Sequence, residues 1–571
     1  MWYAQGGEWH GHYAYNDIDE VAYAAYLKAL IDGRPRKNDP YSGRDHSREN
    51  PQPESLFSIQ FAAPYSVAIP ARILGISAPT AMTLSGALAG FLAALACFWL
   101  IGMITEDSIY AMSGALAVLC GGALAAGEGA IGEILGIGVS YPYFPFLRRY
   151  VPAVPFPVFL FLLGAIWQLM RTEDLTQRII WGSLSFLSFT YLVFSYFYIW
   201  TTAAAWLGCV TILLVIFRPN SWIRDVKSLF LLGIGCFVSL AAYGYLLSQR
   251  SETLDDVQLL VLTHQPDLAR FPEYISFLVL VAVVLGVIFK VVELRSRSVI
   301  FVVSFALVPI VVFNQQVITG RSLQPIHYQV FIGNYVAALA LFSCIGLFWK
   351  ELEKKKLKAV AAIVISAAAI GWGFVECIYT VRALDRANIL RDDGIPLANR
   401  LKEESAGDPE KYQKTILSIG TIQSDDSPTL APQNVLWSRH QHVFAGLSWQ
   451  QNKERYYQYL YYQNVSESSL ERRLRRGDFV SMISLFGWAR HSSRLSFDAK
   501  PLTQGEIREE AERYGEYIKN FDRRKAADPE LSFLVVPADR ELDFENIDRW
   551  YERGEEEVVG IYRLFRLKLK E

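Results

Sequence analysis

Ala78-Pro-Thr-Ala-Met-Thr-Leu-Ser-Gly-Ala-Leu-Ala-Gly-Phe-Leu-Ala-Ala-Leu-Ala-Cys-Phe-Trp-Leu-Ile-Gly-Met-Ile104 runs without a single charged side chain. A helix needs roughly 20 such residues to cross the hydrocarbon of a bilayer. Runs of comparable apolarity cover residues 108–126, 151–170, 179–217, 228–247, 274–292, 299–313, 329–349 and 359–379, and 179–217 is long enough for two helices in tandem. About ten spans result. A large soluble helical protein would not repeat helices of this apolarity so often. The 571 residues are 52% hydrophobic and 14% aromatic with a formal net charge of -2, which argues against a nucleic-acid partner and for membrane lipids.

Lysine and arginine collect on the cytoplasmic side of a membrane. Arg171 and Arg178, then Arg218, Arg224 and Lys227, then Lys290, Arg295 and Arg297, then Lys350, Lys354, Lys355, Lys356 and Lys358 fall in alternate loops. Those loops are assigned to the inside. The others carry Arg148 and Arg149, Arg250 and Arg270, and Arg321, and lie outside together with the segments before residue 78 and after about residue 380. An external amino terminus with no apolar segment before it has no means of export, so one further span ahead of Trp2 is expected. The alternative is translocation of 1–77 as a tail of the first hairpin. All six cysteines lie in apolar runs, where they act as small packing residues, and no disulfide or zinc site is indicated. The Asn464-Val-Ser sequon decides nothing.

Three regions follow. Residues 1–77 form a polar first loop with one helix after Asp19, ended at Gly33-Arg-Pro, and a later helix lying at the interface. Residues 78–380 are the transmembrane region, and 381–571 have the composition of a soluble α/β domain. In that domain, helix patterns at 466–476 and 503–522 mix with strand-like runs at 415–419, 531–536 and 558–567. The fold class is a polytopic α-helical membrane protein with a carboxy-terminal α/β domain.

The polar stretch Tyr15-Asn-Asp-Ile-Asp-Glu-Val-Ala-Tyr-Ala24 places Asp17, Asp19 and Glu20 just ahead of the spans. A carboxylate there can serve as a general base, or all three can be a solvated helix start in which acids suit the dipole. His10 and His12 flank the cluster and are candidates for substrate or metal contact. His440 and His442 alternate as on a strand, with a surface role favoured. Tyr13, Tyr15, Trp437 and Trp449 are read as packing residues that could also stack on a sugar ring.

The acidic pair in the first external loop, the following Asp19-Glu-Val-Ala-Tyr-Ala-Ala-Tyr26, the Gly-Arg-Pro turn, the many spans and the external carboxy-terminal domain together resemble the GT-C glycosyltransferases. Asp19-Glu20 is similar to the Asp-Glu pair of the protein O-mannosyltransferase and lipid A aminoarabinose transferase type. The Asp17-Ile-Asp19 spacing is similar to the Asp-x-Asp of the oligosaccharyltransferase catalytic subunit, which holds a divalent metal. No Trp-Trp-Asp-Tyr-Gly motif is present, a departure from the oligosaccharyltransferases.

The resemblance implies inverting transfer of a sugar from a polyprenyl-phosphate-linked donor to a glycan, lipid or protein acceptor on the extracytoplasmic face of a bacterial or archaeal plasma membrane. Asp19 is then the base, with Asp17 or Glu20 orienting it, or with Asp17 and Asp19 holding a divalent cation such as Mg or Mn. Glu128 or Glu133 is the supporting acid of the next external loop. The donor phosphate falls to Arg321 and His327, with Gln324 as a further donor and Arg148 and Arg149 as second choices. The polar density of Asn314, Gln315 and Gln316 beside Arg321 favours that choice. Rival readings are a transporter or flippase of lipid-linked sugars and a lipid-linked glycan ligase. Spans nearly free of charge, with polar residues gathered at one boundary, argue against a transport path through the midplane.

Overall fold

The computed structural model describes residues 8–137, 144–254, 260–349, 355–487, 490 and 501–571. Eight helices among them are long and apolar enough to cross a membrane: Ala78–Thr105, Tyr150–Arg171, Phe197–Phe217, Trp222–Ser248, Phe271–Ile288, Arg297–Thr319, Pro325–Trp349 and Lys355–Ala383. Ser108–Cys120, continued by Gly122–Ala126, and Leu175–Val193 run beside them. Together they occupy the apolar runs seen in the sequence, with 179–217 broken at 194–196 into two helices. Leu84, Leu88, Phe91 and Leu95 on one helix and Phe230, Leu231, Phe237 and Val238 on another are exposed. So broad an apolar exterior suits hydrocarbon rather than water. The molecule is a polytopic α-helical membrane protein.

Inside the bundle, helices meet through small residues. A methyl group at Gly164 would fall 2.2 Å from the Trp99 ring, and one at Gly122 would fall 2.1 Å from the ring of Tyr335. Without a hydrophobic force between helices in lipid, this close approach is what gains dispersion energy.

The first loop contributes the helix Glu20–Ile31, buried along most of its length, and the helix Ala62–Leu74. The latter carries Pro70 internally and exposes Ile69, Ile73 and Leu74, as an interfacial helix would. The turn-rich run between them is pinned by Arg36, whose guanidinium donates to both oxygens of Glu54 at 2.7 Å.

The carboxy-terminal part holds a six-stranded sheet in the order Asn434–Val435, Thr415–Ser418, Leu531–Pro537, Tyr562–Leu569, Tyr551–Arg553, with Glu557–Val559 also paired to Tyr562–Leu569. The first three strands are parallel and the others antiparallel. The run 558–567, read from sequence as one strand, is a hairpin. Gly560 turns it with a φ of 58°, a left-handed conformation that a side chain would resist.

A stacked pair of rings, Phe57 and Phe444 at 4.6 Å and 7°, joins the first loop to this part of the chain, with Tyr26 and Tyr41 packed against Phe444. The segment before Asp19 is fastened to it as well. The Asp392 carboxylate accepts the backbone N–H groups of His10 and His12, and His12 Nε2 lies 2.8 Å from Asp426 Oδ2. Tyr15 N–H donates to Asn388 Oδ1, and Asn388 Nδ2 donates back to Tyr15 O.

Candidate active site

Asp19 stands at the N-cap of Glu20–Ile31, yet its side chain makes no capping bond. The ordinary job of an aspartate at a helix start is therefore not the one it does. Glu20 instead reaches back, accepting the Asn16 N–H at 3.2 Å on Oε2. Its other oxygen accepts from Arg148 Nε at 2.5 Å, while Arg148 Nη2 donates to Asp17 Oδ2 at 2.8 Å. One wholly buried guanidinium thus spans two of the three carboxylates, a use suited to its rigid fork of donors. Burial pushes the Glu20 carboxyl up, and Arg148 and Arg149 offset that only in part.

Asp19 is held differently. Its Oδ1 lies 3.4 Å from His440 Nε2, and its side chain remains 53% exposed although protein closes in around it. Burial acts to raise its pKa, but the bond and charge of His440 and the charges of Arg149 and Arg148 outweigh that and hold it well below the usual carboxylate range. Behind it, His440 Nδ1 lies 3.1 Å from Asp425 Oδ2, and Asp425 is fixed by Ser438 Oγ at 2.5 Å and Arg439 Nε at 2.7 Å. Burial works against a charged His440, but Asp425 and Asp19 raise its pKa to about 9, so the ring is an imidazolium at neutral pH. Asp19, His440 and Asp425 form a line from the exposed carboxylate into the sheet domain.

Arg149 sits beside this line with its guanidinium over the Tyr23 ring at 3.6 Å from the centroid. It is buried, and its Nε and Nη1 have no hydrogen-bond partner. A buried guanidinium with unused donors is costly unless an anion meets it. His327, at the start of the Pro325–Trp349 span, feels the charges of Asp19, Arg148 and Arg149. Its ring lies edge-on to Tyr198 at 4.8 Å and beside Phe331 at 5.2 Å, and Arg148 lies over the same Phe331 ring at 5.4 Å. Gln324 accepts from the Tyr198 hydroxyl at 3.4 Å, next to His327.

Other candidates fall elsewhere. Arg321 is exposed on the strand Arg321–Leu323, which pairs with Leu260–Leu262 in a two-stranded antiparallel sheet between two loops, a pairing the sequence did not reveal. The amides that seemed to favour Arg321 are used internally. Asn314 Nδ2 donates to Glu273 at 2.9 Å and to the Asp267 carbonyl at 3.0 Å, and Gln316 donates to the Gln265 carbonyl. Glu128 and Glu133 lie by Glu376 of the Lys355–Ala383 helix, whose carboxylate accepts the Ala130 N–H and feels the charge of Glu133. His440 and His442, read as surface positions on a strand, are buried at a short 3-10 turn, Gln441–Val443. Strict alternation in sequence resembled a strand, but the local backbone is a turn that aims His440 inward. Asp425, inside the buried helix Thr421–Leu430, gave no sequence signal at all. The run 141–143 before Phe144 lies outside the described residues.

The carboxylates do not fit a metal cage. Among the described residues, no group of three or more His, Cys, Asp or Glu side chains gathers closely enough to hold an ion. Asp17 is engaged by Arg148 and Asp19 by His440, so cations of the protein already stand where a metal would.

No protein-family model matches the chain, and no curated protein matches it. Among solved structures it is similar to the crystal structure of ArnT from Cupriavidus metallidurans in the apo state, with a TM-score of 0.48, 12% identity and coverage of 98% of this chain and 95% of that one. It is also similar to the same protein bound to undecaprenyl phosphate, with a TM-score of 0.47, 13% identity and coverage of 76% and 84%. The reading of the site rests on the geometry of this chain's own residues.

That geometry is specific chemically. A half-open carboxylate, backed by a histidine and a second carboxylate, stands at one end of the bundle. Beside it stand a buried arginine with unused donors and a histidine.

Proposed function

We propose that the chain is a membrane glycosyltransferase that moves a sugar from a polyprenyl-phosphate-linked donor to an acceptor hydroxyl or amine. Undecaprenyl phosphate, bound in one of the two similar crystal structures, is a lipid of that class. The observation that carries the proposal is Asp19 itself, at an N-cap it does not cap and with its side chain 53% exposed.

In the proposed reaction the acceptor oxygen or nitrogen attacks the anomeric carbon while its proton passes to Asp19. The carbon–oxygen bond to the phosphate breaks on the opposite face, its electron pair leaving with the phosphate, and configuration inverts. Arg149, with His327 beside it, meets the charge that develops on the leaving phosphate, where fixed donors need no reorganisation. Arg148 engages both Asp17 and Glu20, so Asp19 is the one carboxylate of the three with an open side. No step is routed through a metal.

Transfer is measured in proteoliposomes holding the purified chain, a polyprenyl-phosphate-linked sugar donor and an acceptor glycolipid. Asp19→Asn removes a general base, a change that costs about 100- to 10,000-fold in rate. Turnover unchanged by Asp19→Asn would contradict the assignment.

A further inference from the structure

Thr415–Ser418 and Leu531–Pro537 are neighbouring parallel strands whose chain leaves in opposite directions. From the first it enters the helix Thr421–Leu430 and returns to Asn434–Val435 on one flank. From the second it passes to the hairpin paired through Tyr562–Leu569 on the other. Such a divergence opens a crevice at the carboxyl ends of the two strands, the place where open α/β sheets bind ligands. A cavity of about 790 Å³ lies there, lined by residues 419–423 and 537–540 at the two strand ends. Its volume falls within the range of small-molecule sites, roughly 300–1,000 Å³.

The wall chemistry narrows the occupant. Tyr456 and Tyr459 lie nearly parallel, 6.2 Å apart at 22°, and Trp437 backs them at 4.8 and 4.7 Å. Their hydroxyls are engaged with Ser481 Oγ and the Ile419 carbonyl, so the rings are fixed in place. Arg540 donates one Nη to the Ile419 carbonyl and the other to Gln463 Oε1, both at 3.2 Å, and its planar fork has further donors. Arg473 and Asp539 are exposed among the lining residues.

A phosphate-bearing ligand would call for excess positive charge, whereas Arg473 and Arg540 here are matched by Asp478 and Asp539. Planar arginine, amide and carboxylate groups of balanced charge, on a wall stiffened from behind by buried aromatic rings, suit a sugar. Its paired hydroxyls need donors and acceptors at once.

We infer that this cavity is a glycan-binding site for a short neutral oligosaccharide of the acceptor. The inference deepens the glycosyltransferase reading and rests on it for the source of the glycan. The position supports the link. Gln423 lines the cavity, and Asp425, two residues further along the same helix, holds the histidine that meets Asp19.

The test is isothermal titration of the purified full chain in detergent with maltotriose, cellotriose and chitotriose, and with inorganic phosphate as the contrasting probe. Saturable binding of one of the trisaccharides is expected, weakened about tenfold by Arg540→Gln, by Asp539→Asn or by both, as the loss of one charged hydrogen bond implies. Asp539 is exposed, so its variant is expected to fold. No saturable binding of any of the three sugars, binding of phosphate in their place, or sugar binding that both substitutions leave unchanged would overturn the inference. Asp19→Asn keeps the sugar binding while it abolishes transfer. Failure of the cavity and failure of the base assignment are therefore read in separate experiments.

Discussion

Two ends of the helix bundle each hold a carboxylate among arginines, and they use it differently. At one end Asp225, fully buried, is shared between Arg224 Nε at 3.3 Å and Arg297 Nη2 at 2.9 Å. The same arginines donate to the Met170 and Asn220 carbonyls, so the cluster ties three helix ends together. At the other end Asp17 and Glu20 are taken up by Arg148, but Asp19 keeps an open side, and Arg149 keeps Nε and Nη1 unused. A carboxylate enclosed by two guanidiniums is consumed in holding structure. One that is half open, with a single long contact behind it, retains a lone pair for chemistry.

The comparison can be sharpened by substitution. The largest stability effect is expected for Arg148→Ala, which strands the buried charge of Glu20 and costs on the order of 3–5 kcal/mol. It should show as a large fall in melting temperature in detergent. Arg149→Gln keeps volume and removes an anion partner with no carboxylate to strand. Binding of the polyprenyl-phosphate lipid, followed by titration, should weaken about 10- to 100-fold with little change in melting temperature.

A pH scan separates the two ends again. His440 titrates at about 9 in the folded chain, above the ordinary histidine value, so its pairing with Asp425 and Asp19 stabilises fully below about pH 6.5. That contribution, on the order of 3 kcal/mol, is lost as pH rises through the folded value. Melting temperature should therefore fall between pH 6.5 and 9.5, and His440→Gln should flatten that slope. The smallest effect is expected for Arg321→Ala. Its exposed side chain lies on a small two-stranded sheet apart from the acidic cluster, and transfer should stay within about twofold of the parent.

How much of this was legible in the sequence follows from what each signal reports. Apolar runs as long as a bilayer gave the bundle helix by helix, because uncharged length is itself the physical requirement for spanning. The Asp17–Glu20 cluster stood out as charge close to a membrane boundary. Its partners did not, because Arg148, His440 and Asp425 lie far from it along the chain and meet it only in the fold. Alternation at His440 and His442 suggested a strand, yet a turn can carry the same spacing while pointing both rings inward. Polar density near Arg321 was a true signal of engaged groups, but those groups bind one another, with Asn314 joined to Asp267 and Glu273.

The most direct measurement follows transfer and melting temperature together for Asp19→Asn and Asp225→Asn in the same reconstituted preparation. The account predicts that Asp19→Asn loses transfer by about 100-fold or more and keeps its melting temperature, while Asp225→Asn loses thermal stability and keeps its turnover per folded molecule. Transfer preserved in Asp19→Asn, or abolished alike in both folded variants, would contradict it.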